Sequence, residues 1–336
     1  MPIDTHAHYF PPALLDMLED EARALGLSLV RTPPACQCAL HFEHGLKLRP
    51  FPAKLIEPTE TRIAAMDRIG IDRQVLSAWA DAFGYGLPKE KNIAWHRKLN
   101  RSMAQLVSAH PSRFSFIASV PLPHAAEAAE ELRCAMNELG AVGAVVCANV
   151  EEVNLGDIPL DEFWSAAVEI DAGVLIHPAA PAQGTGRAAK YGLAQIAQYT
   201  YDTTLCVGSL IFSGVLDRFP GLRLLTCHGG GAYPWLAGRF DIMHQRTDRK
   251  AMGNVAAFPP SHYLGRIWYD TILHSPSTLR HLAEEVGVGR IVIGSDYSFP
   301  PSDDDPMDTL RRARFSGPDI AAIAEANPRR LFTQLA

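Results

Sequence analysis

Along the 336 residues, eight short apolar runs alternate with stretches of helical periodicity, and this alternation constrains the fold more than any other feature. The runs cover 2–8, 73–79, 113–120, 142–148, 173–177, 222–228, 266–271 and 290–296. Most are hydrophobic almost without interruption, as expected of parallel strands covered on both faces. The helical patterns between and after them cover 60–69, 92–110, 124–139, 160–170, 201–218, 233–245, 277–286 and 318–331. Helix-stopping glycine or proline introduces several runs, as in Phe219-Pro220-Gly221 and Gly287-Val288-Gly289. Eightfold strand–helix alternation predicts an α/β fold of the (β/α)8 TIM-barrel type. A doubly wound open sheet would want a glycine-rich turn after its first strand, where this chain has His6-Ala7-His8.

A barrel takes about 250 residues and grows by loop insertion. The surplus here is concentrated in 10–58, between the first strand and its helix, and is rich in Pro, Arg and His. An insertion in that place is expected to sit over the mouth of the barrel. Without a repeat, a low-complexity tract or a linker, 1–336 reads as one domain.

The net charge of −6 gives no support to a nucleic-acid or membrane-surface partner. No stretch approaches the roughly 20 apolar residues of a spanning helix. The first residues lack a basic segment followed by an apolar one, so a reducing cytoplasm is the expected compartment. Six cysteines do not make a disulfide framework in a chain this long. Cys134, Cys147, Cys206 and Cys227 read as small core residues.

The chemistry is positional. His6 and His8 end the first strand, His177 the fifth, His228 the sixth and Asp296 the eighth. Barrel enzymes build their sites at the C-terminal ends of the strands. In His6-Ala7-His8 both rings share a face, because side-chain direction repeats every two residues. A lone His-x-His is a weak signal, His177-Pro178 alone reads as a turn, and Asp296 alone reads as a helix cap. Their conjunction at one end of one barrel is what points to a single divalent ion. Three imidazoles and one carboxylate suit Zn2+, with Mn2+ as the alternative.

His228 precedes Gly229-Gly230-Gly231, glycines that permit a sharp turn and close approach to a ligand, before a helix that offers free N–H groups to an anion. His228 is assigned as general acid/base, because the ion needs an open position for water or substrate and that water's proton needs an acceptor. The alternative is a further ligand. Cys36-x-Cys38 with His41 and His44 matches no common zinc pattern. His96, His110, His124, His244, His262, His274 and His281 read as surface residues. Trp79, Phe83 and Tyr85 after the second strand could wall the pocket or simply pack beneath a loop.

In this order the residues resemble the amidohydrolase-related, metal-dependent decarboxylases, including those acting on carboxylated muconate semialdehydes. The resemblance is carried by Ile3-Asp4-Thr5-His6-Ala7-His8-Tyr9-Phe10-Pro11, Ile176-His177-Pro178, His228-Gly229-Gly230-Gly231 with Gly238-Arg239, and Gly294-Ser295-Asp296-Tyr297. It spans the whole chain. It implies a barrel of the metal-dependent hydrolase type, with His6, His8, His177 and Asp296 as ligands and His228 as acid/base. It also implies Arg49 and Arg239 for substrate carboxylates, with Tyr191, Ser298 and Phe299 bordering the substrate.

Arg239 lies eleven residues beyond His228, largely on one helix, so up to ~16 Å separates them. A neighbouring subunit's site is the easier reach, and a homodimer is expected. Binuclear relatives carry a bridging lysine at the end of strand four, where Val145-Val146-Cys147-Ala148-Asn149 has none. The expected activity is therefore non-oxidative decarboxylation of a small muconate-semialdehyde-like or hydroxylated aromatic acid, using metal-bound water and His228. The alternative is a hydrolase or hydratase acting on a lactone or an unsaturated acid.

Overall fold

The structure is a computed structural model that describes residues 1–32, 37–179 and 186–335. Each of the eight apolar runs contains a parallel strand: β1 (Ile3–His8), β2 (Arg73–Ser77), β3 (Phe114–Phe116, resumed at Ala118–Ser119), β4 (Gly143–Cys147), β5 (Gly173–His177), β6 (Arg223–Thr226), β7 (Trp268–Asp270) and β8 (Ile291–Val292). Neighbours in sequence are neighbours in space, β1 through β8.

The ladder has two interruptions. At the first, β3 pairs with β2 through Phe114–Phe116 and with β4 through Ala118–Ser119, on either side of Ile117. At the second, Thr5 N donates to the Ile293 carbonyl (2.9 Å) and His8 N to the Tyr297 carbonyl (3.0 Å), bringing the segment after β8 beside β1. The architecture is the (β/α)8 barrel that the alternation predicts.

Helix α1 (Pro12–Glu21) lies in the insertion, where the periodicity gave no helix; those that follow fall where it puts them, α2 (Thr59–Ile69), α3 (Lys89–Ala109), α4 (Ala125–Glu138), α5 (Asp161–Glu169), α6 (Tyr199–Phe212), α7 (Val215–Arg218), α8 (Tyr233–His244) and α9 (Pro276–Val286), with α10 (Pro306–Arg312) beyond them. The single helix expected over 201–218 is broken into α6 and α7 at Gly214, whose φ of 75° a helix cannot accommodate. The short α10 is additional, started by the Asp305 carboxylate accepting from Asp308 N at 2.9 Å.

The 10–58 insertion is packed rather than open. Helix α1 buries Leu14, Leu15 and Leu18, each contributing roughly 1.5–3 kcal/mol by its removal from water. An antiparallel hairpin pairs Leu27–Thr32 with Gln37–Phe42. Phe10 packs on Phe51 (ring centroids 4.9 Å apart) and reaches Trp95 of α3 at 6.4 Å. Cys38 and His41 belong to the second strand of this hairpin and His44 to the turn after it, whereas Cys36 lies outside the described residues. Cys134 is half-buried rather than core.

Two histidines read as surface residues are buried instead. His96 is fully enclosed on α3, its Nδ1 2.8 Å from Ser119 Oγ, and burial pushes its pKa down to about 3. His244 is buried at the end of α8, where its Nδ1 meets Arg249 Nη1 at 3.2 Å. No helix among the described residues is long and apolar enough to cross a membrane.

Candidate active site

Because β1 is buried along its whole length, the two-residue period turns His6 and His8 inward together. A shift of register between Asp4 and Ala7 bends the strand there, as β-bulges do beside active sites. The two Nε2 atoms stand 3.2 Å apart. Asp296 Oδ1 lies 3.1 Å from His8 Nε2 and 3.5 Å from His6 Nε2. With His177, these residues offer four ligand atoms that all lie within 4.8 Å of one another.

The other ring nitrogens are committed elsewhere. His6 Nδ1 meets Asp270 Oδ2 at 2.8 Å, His8 Nδ1 meets Ser77 Oγ at 2.9 Å, and His177 Nδ1 meets the Pro178 carbonyl at 2.7 Å. Those contacts fix the tautomers and leave the Nε2 lone pairs facing the centre. His177 Nε2 and Asp296 Oδ1 are buried without a hydrogen-bond partner. Converging lone pairs and an unsatisfied carboxylate oxygen repel one another unless a cation sits among them, so the donor set fits one divalent ion.

The electrostatics agree. Burial, reinforced by the neighbouring imidazoles, pushes His177 well below its usual pKa. Burial opposes ionisation of Asp296, yet the imidazoles of His228, His8 and His6 close beside it hold it well below the usual carboxylate range.

Asp270, at the end of β7, has no counterpart among the residues picked from the sequence. Its Oδ2 orients His6 while its Oδ1 accepts from Gly229 N at 2.9 Å, in the loop that carries His228. Asp270→Asn is expected to weaken metal affinity by roughly 10–100-fold, measurable by competition with a chelating dye. Unchanged affinity would remove Asp270 from this role.

His228 stands beside the cluster, its Nε2 3.4 Å from Asp296 Oδ2. His228, Asp296 and His274 hold φ near 55°, a left-handed conformation that costs non-glycine residues energy and gathers at functional sites. The glycines after His228 also have positive φ, but what they approach closely is protein: a Cβ on Gly231 would run into the Thr200 carbonyl oxygen. The N–H groups of the glycine turn itself are all committed within the protein. Gly229 N is held by Asp270, Gly230 N by the Cys227 carbonyl, Gly231 N by the His228 carbonyl and Ala232 N by Thr204 Oγ1.

These groups open on a cavity of about 490 Å³, a size suited to a small molecule. Arg49 enters it from the insertion, its guanidinium carbon 5.5 Å from the Trp79 ring centre and 5.4 Å from that of Phe299. Trp79 and Phe299 form walls, and His274, read as a surface residue, is exposed at the rim. Phe83 and Tyr85 line a neighbouring cavity instead.

Tyr191 and Ser298, expected at the substrate, are elsewhere, and Arg239, expected to serve a neighbouring subunit, is outside this cavity. Tyr191 is 87% exposed and outside the cavity lining. Ser298 is buried behind the wall, its Oγ donating to the His8 carbonyl at 2.8 Å and accepting from Arg62 Nη2 at 2.9 Å. Arg239 is exposed on α8 in an apolar groove with Leu236, Phe240, Ile242 and Met243.

The amidohydrolase family model matches residues 3–334. The chain belongs to the amidohydrolase family. It is 31% identical over 300 residues to the 2-amino-3-carboxymuconate-6-semialdehyde decarboxylase of Dictyostelium discoideum, covering 89% of this chain and 82% of that relative. It is 26% identical over 320 residues to the gamma-resorcylate decarboxylase of a Rhizobium strain, covering 89% and 94%. Among solved structures, the 5-carboxyvanillate decarboxylase of Sphingomonas paucimobilis superposes with a TM-score of 0.81 at 25% identity, over 99% of this chain and 98% of that one.

Proposed function

We propose that this family member is a metal-dependent carboxy-lyase that removes CO2 without oxidation from a small hydroxylated aromatic or muconate-semialdehyde-like acid. The observation that carries this reading is one cavity shared by a single cluster of metal-binding donors, the acid/base His228 and the cation Arg49. The decarboxylase relatives support it over a hydrolase or hydratase.

His6, His8, His177 and Asp296 would hold the ion, zinc by preference and manganese as the alternative for this donor set. When bound, it supplies a Lewis acid that draws electron density from the substrate. Arg49 orients the substrate through a carboxylate, for which a guanidinium fork is well shaped. Trp79 and Phe299 hold its flat face and exclude water. Loss of CO2 leaves an electron pair on carbon, and His228, which lines the cavity, delivers the proton that replaces the carboxyl group. The missing lysine at the end of β4, where Cys147 is buried, supports one ion rather than two.

The test is a set of hydroxybenzoates and carboxylated muconate semialdehydes, scored for CO2 release with metal measured on the same sample. One CO2 per substrate consumed is expected. Consumption without CO2 would shift the reading to hydrolysis or hydration.

A homodimer belongs to this proposal. Arg239 is exposed and absent from its own cavity, on a helix that also exposes Trp235, Ile242 and Met243. In a dimer it would serve the neighbouring site. Mixing Arg239→Ala with His228→Ala protein should then restore activity that neither has alone. A mixture no better than its parts argues against the shared site. A cytoplasmic setting belongs to the same proposal.

A further inference from the structure

One charged group in the cavity has no part in the chemistry above. Asp81 sits in the turn Ala80–Ala82 after β2 and lines the same space as Arg49, His177, His228 and Asp296. It is only 8% exposed, and its Oδ2 is buried without a hydrogen-bond partner. Buried polar atoms are nearly always satisfied, and an unmatched carboxylate oxygen is among the costliest to leave bare.

The turn does not depend on the Asp81 side chain. It caps no helix, and the turn is closed by backbone, Phe83 N donating to the Ala80 carbonyl at 3.1 Å. Burial pushes its pKa up to about 7, against the opposing pull of the Arg49 guanidinium and a hydrogen bond from Trp79. Tyr199, another lining residue, senses the same surroundings: burial and then the Asp81 carboxylate raise its phenol, with Arg49 opposing and Asp296 adding to the rise. Asp81 borders the cavity of Arg49 and Asp296 on one side and the neighbouring cavity of Phe83 and Tyr85 on the other.

We infer that Asp81 selects the substrate, accepting a hydrogen bond from a hydroxyl or amino group of the same acid whose carboxylate Arg49 holds. This rests on the cavity being the substrate site proposed above. A second carboxylate at this point would face an anion in a dry wall, whereas a hydroxyl or amino group supplies the missing donor. The selected class is thus an acid with one hydrogen-bond donor set apart from the carboxylate. An unsubstituted ring lacks the donor and leaves Asp81 bare.

The test measures binding by calorimetry to metal-loaded wild type, Asp81→Leu and Asp81→Asn, with CO2 release followed separately. The ligands are benzoate, the three monohydroxybenzoates and the three monoaminobenzoates. Wild type should bind at least one donor-bearing acid about tenfold or more tighter than benzoate, the range of a hydrogen bond to a charged group. Asp81→Leu should erase that preference while changing benzoate affinity less than about twofold. Asp81→Asn, which keeps an acceptor oxygen, should retain part of the preference for hydroxyl groups. No wild-type preference, or an equal loss for all ligands in Asp81→Leu, overturns the assignment. Tight, Asp81-dependent binding without CO2 would uphold it while overturning the decarboxylase reading.

Discussion

Replacing His228 with alanine should leave a folded, metal-loaded protein whose kcat falls by about 10²–10⁴, the usual contribution of a positioned acid/base. The expectation follows from where the ring stands. Its Nε2 contacts Asp296 Oδ2 at 3.4 Å, while the mutually adjacent donor set is completed by His6, His8, His177 and Asp296 without it. His228 also lines the cavity, which places its proton within reach of a bound acid. Metal per protomer and kcat should therefore separate in this variant. If metal content falls together with activity, His228 is a ligand and the acid/base must be sought elsewhere. Because φ at His228 is 55°, thermal unfolding of the variant belongs in the same experiment.

Asp296→Ala should fail differently, losing the ion and the activity together. It removes the one carboxylate of the donor set and leaves His8 and His228 without a shared anionic partner. Ligand binding to the native state stabilises it, by about 2.7 kcal/mol when the free ion is a hundredfold above its Kd. Chelated wild type titrated with Zn2+ or Mn2+ should accordingly show a rising unfolding temperature, and the variant none. A variant that keeps stoichiometric metal and the same thermal response would show that three imidazoles suffice.

His6, His8, His177, His228 and Asp296 were legible for one reason: they sit at ends of strands that are buried on both faces. Such strands read as unbroken apolar runs, and a histidine or aspartate ending one is conspicuous. Asp270 also ends a strand and was open to the same logic. A lone Asp between Tyr269 and Thr271 forms no pattern with the histidines, and its partner His6 is 264 residues away.

Other misreadings have their own causes. Asn92, His96 and Asn100 fall at i, i+4 and i+8 on α3, a polar stripe that periodicity assigns to solvent. The fold buries it against Phe83, Gly84, Ser119 and Glu131, with each amide nitrogen donating a hydrogen bond. Ser298 was expected at the pocket, but its φ of 107° turns it toward Arg62. Asp81 escaped notice among Trp79, Phe83 and Tyr85, because a solvated turn is the ordinary place for an aspartate and only the packing takes the water away.

Asp270 has a further consequence. One of its oxygens aligns a metal ligand and the other anchors the backbone next to the acid/base, so two functions that look separable share one carboxylate. Over evolutionary time the ion-binding strand and the loop bearing His228 are not free to drift independently, since any displacement of one is transmitted through Asp270 to the other. Descendants of this site that adopt a larger or smaller ion would have to re-tune their proton donor in the same step.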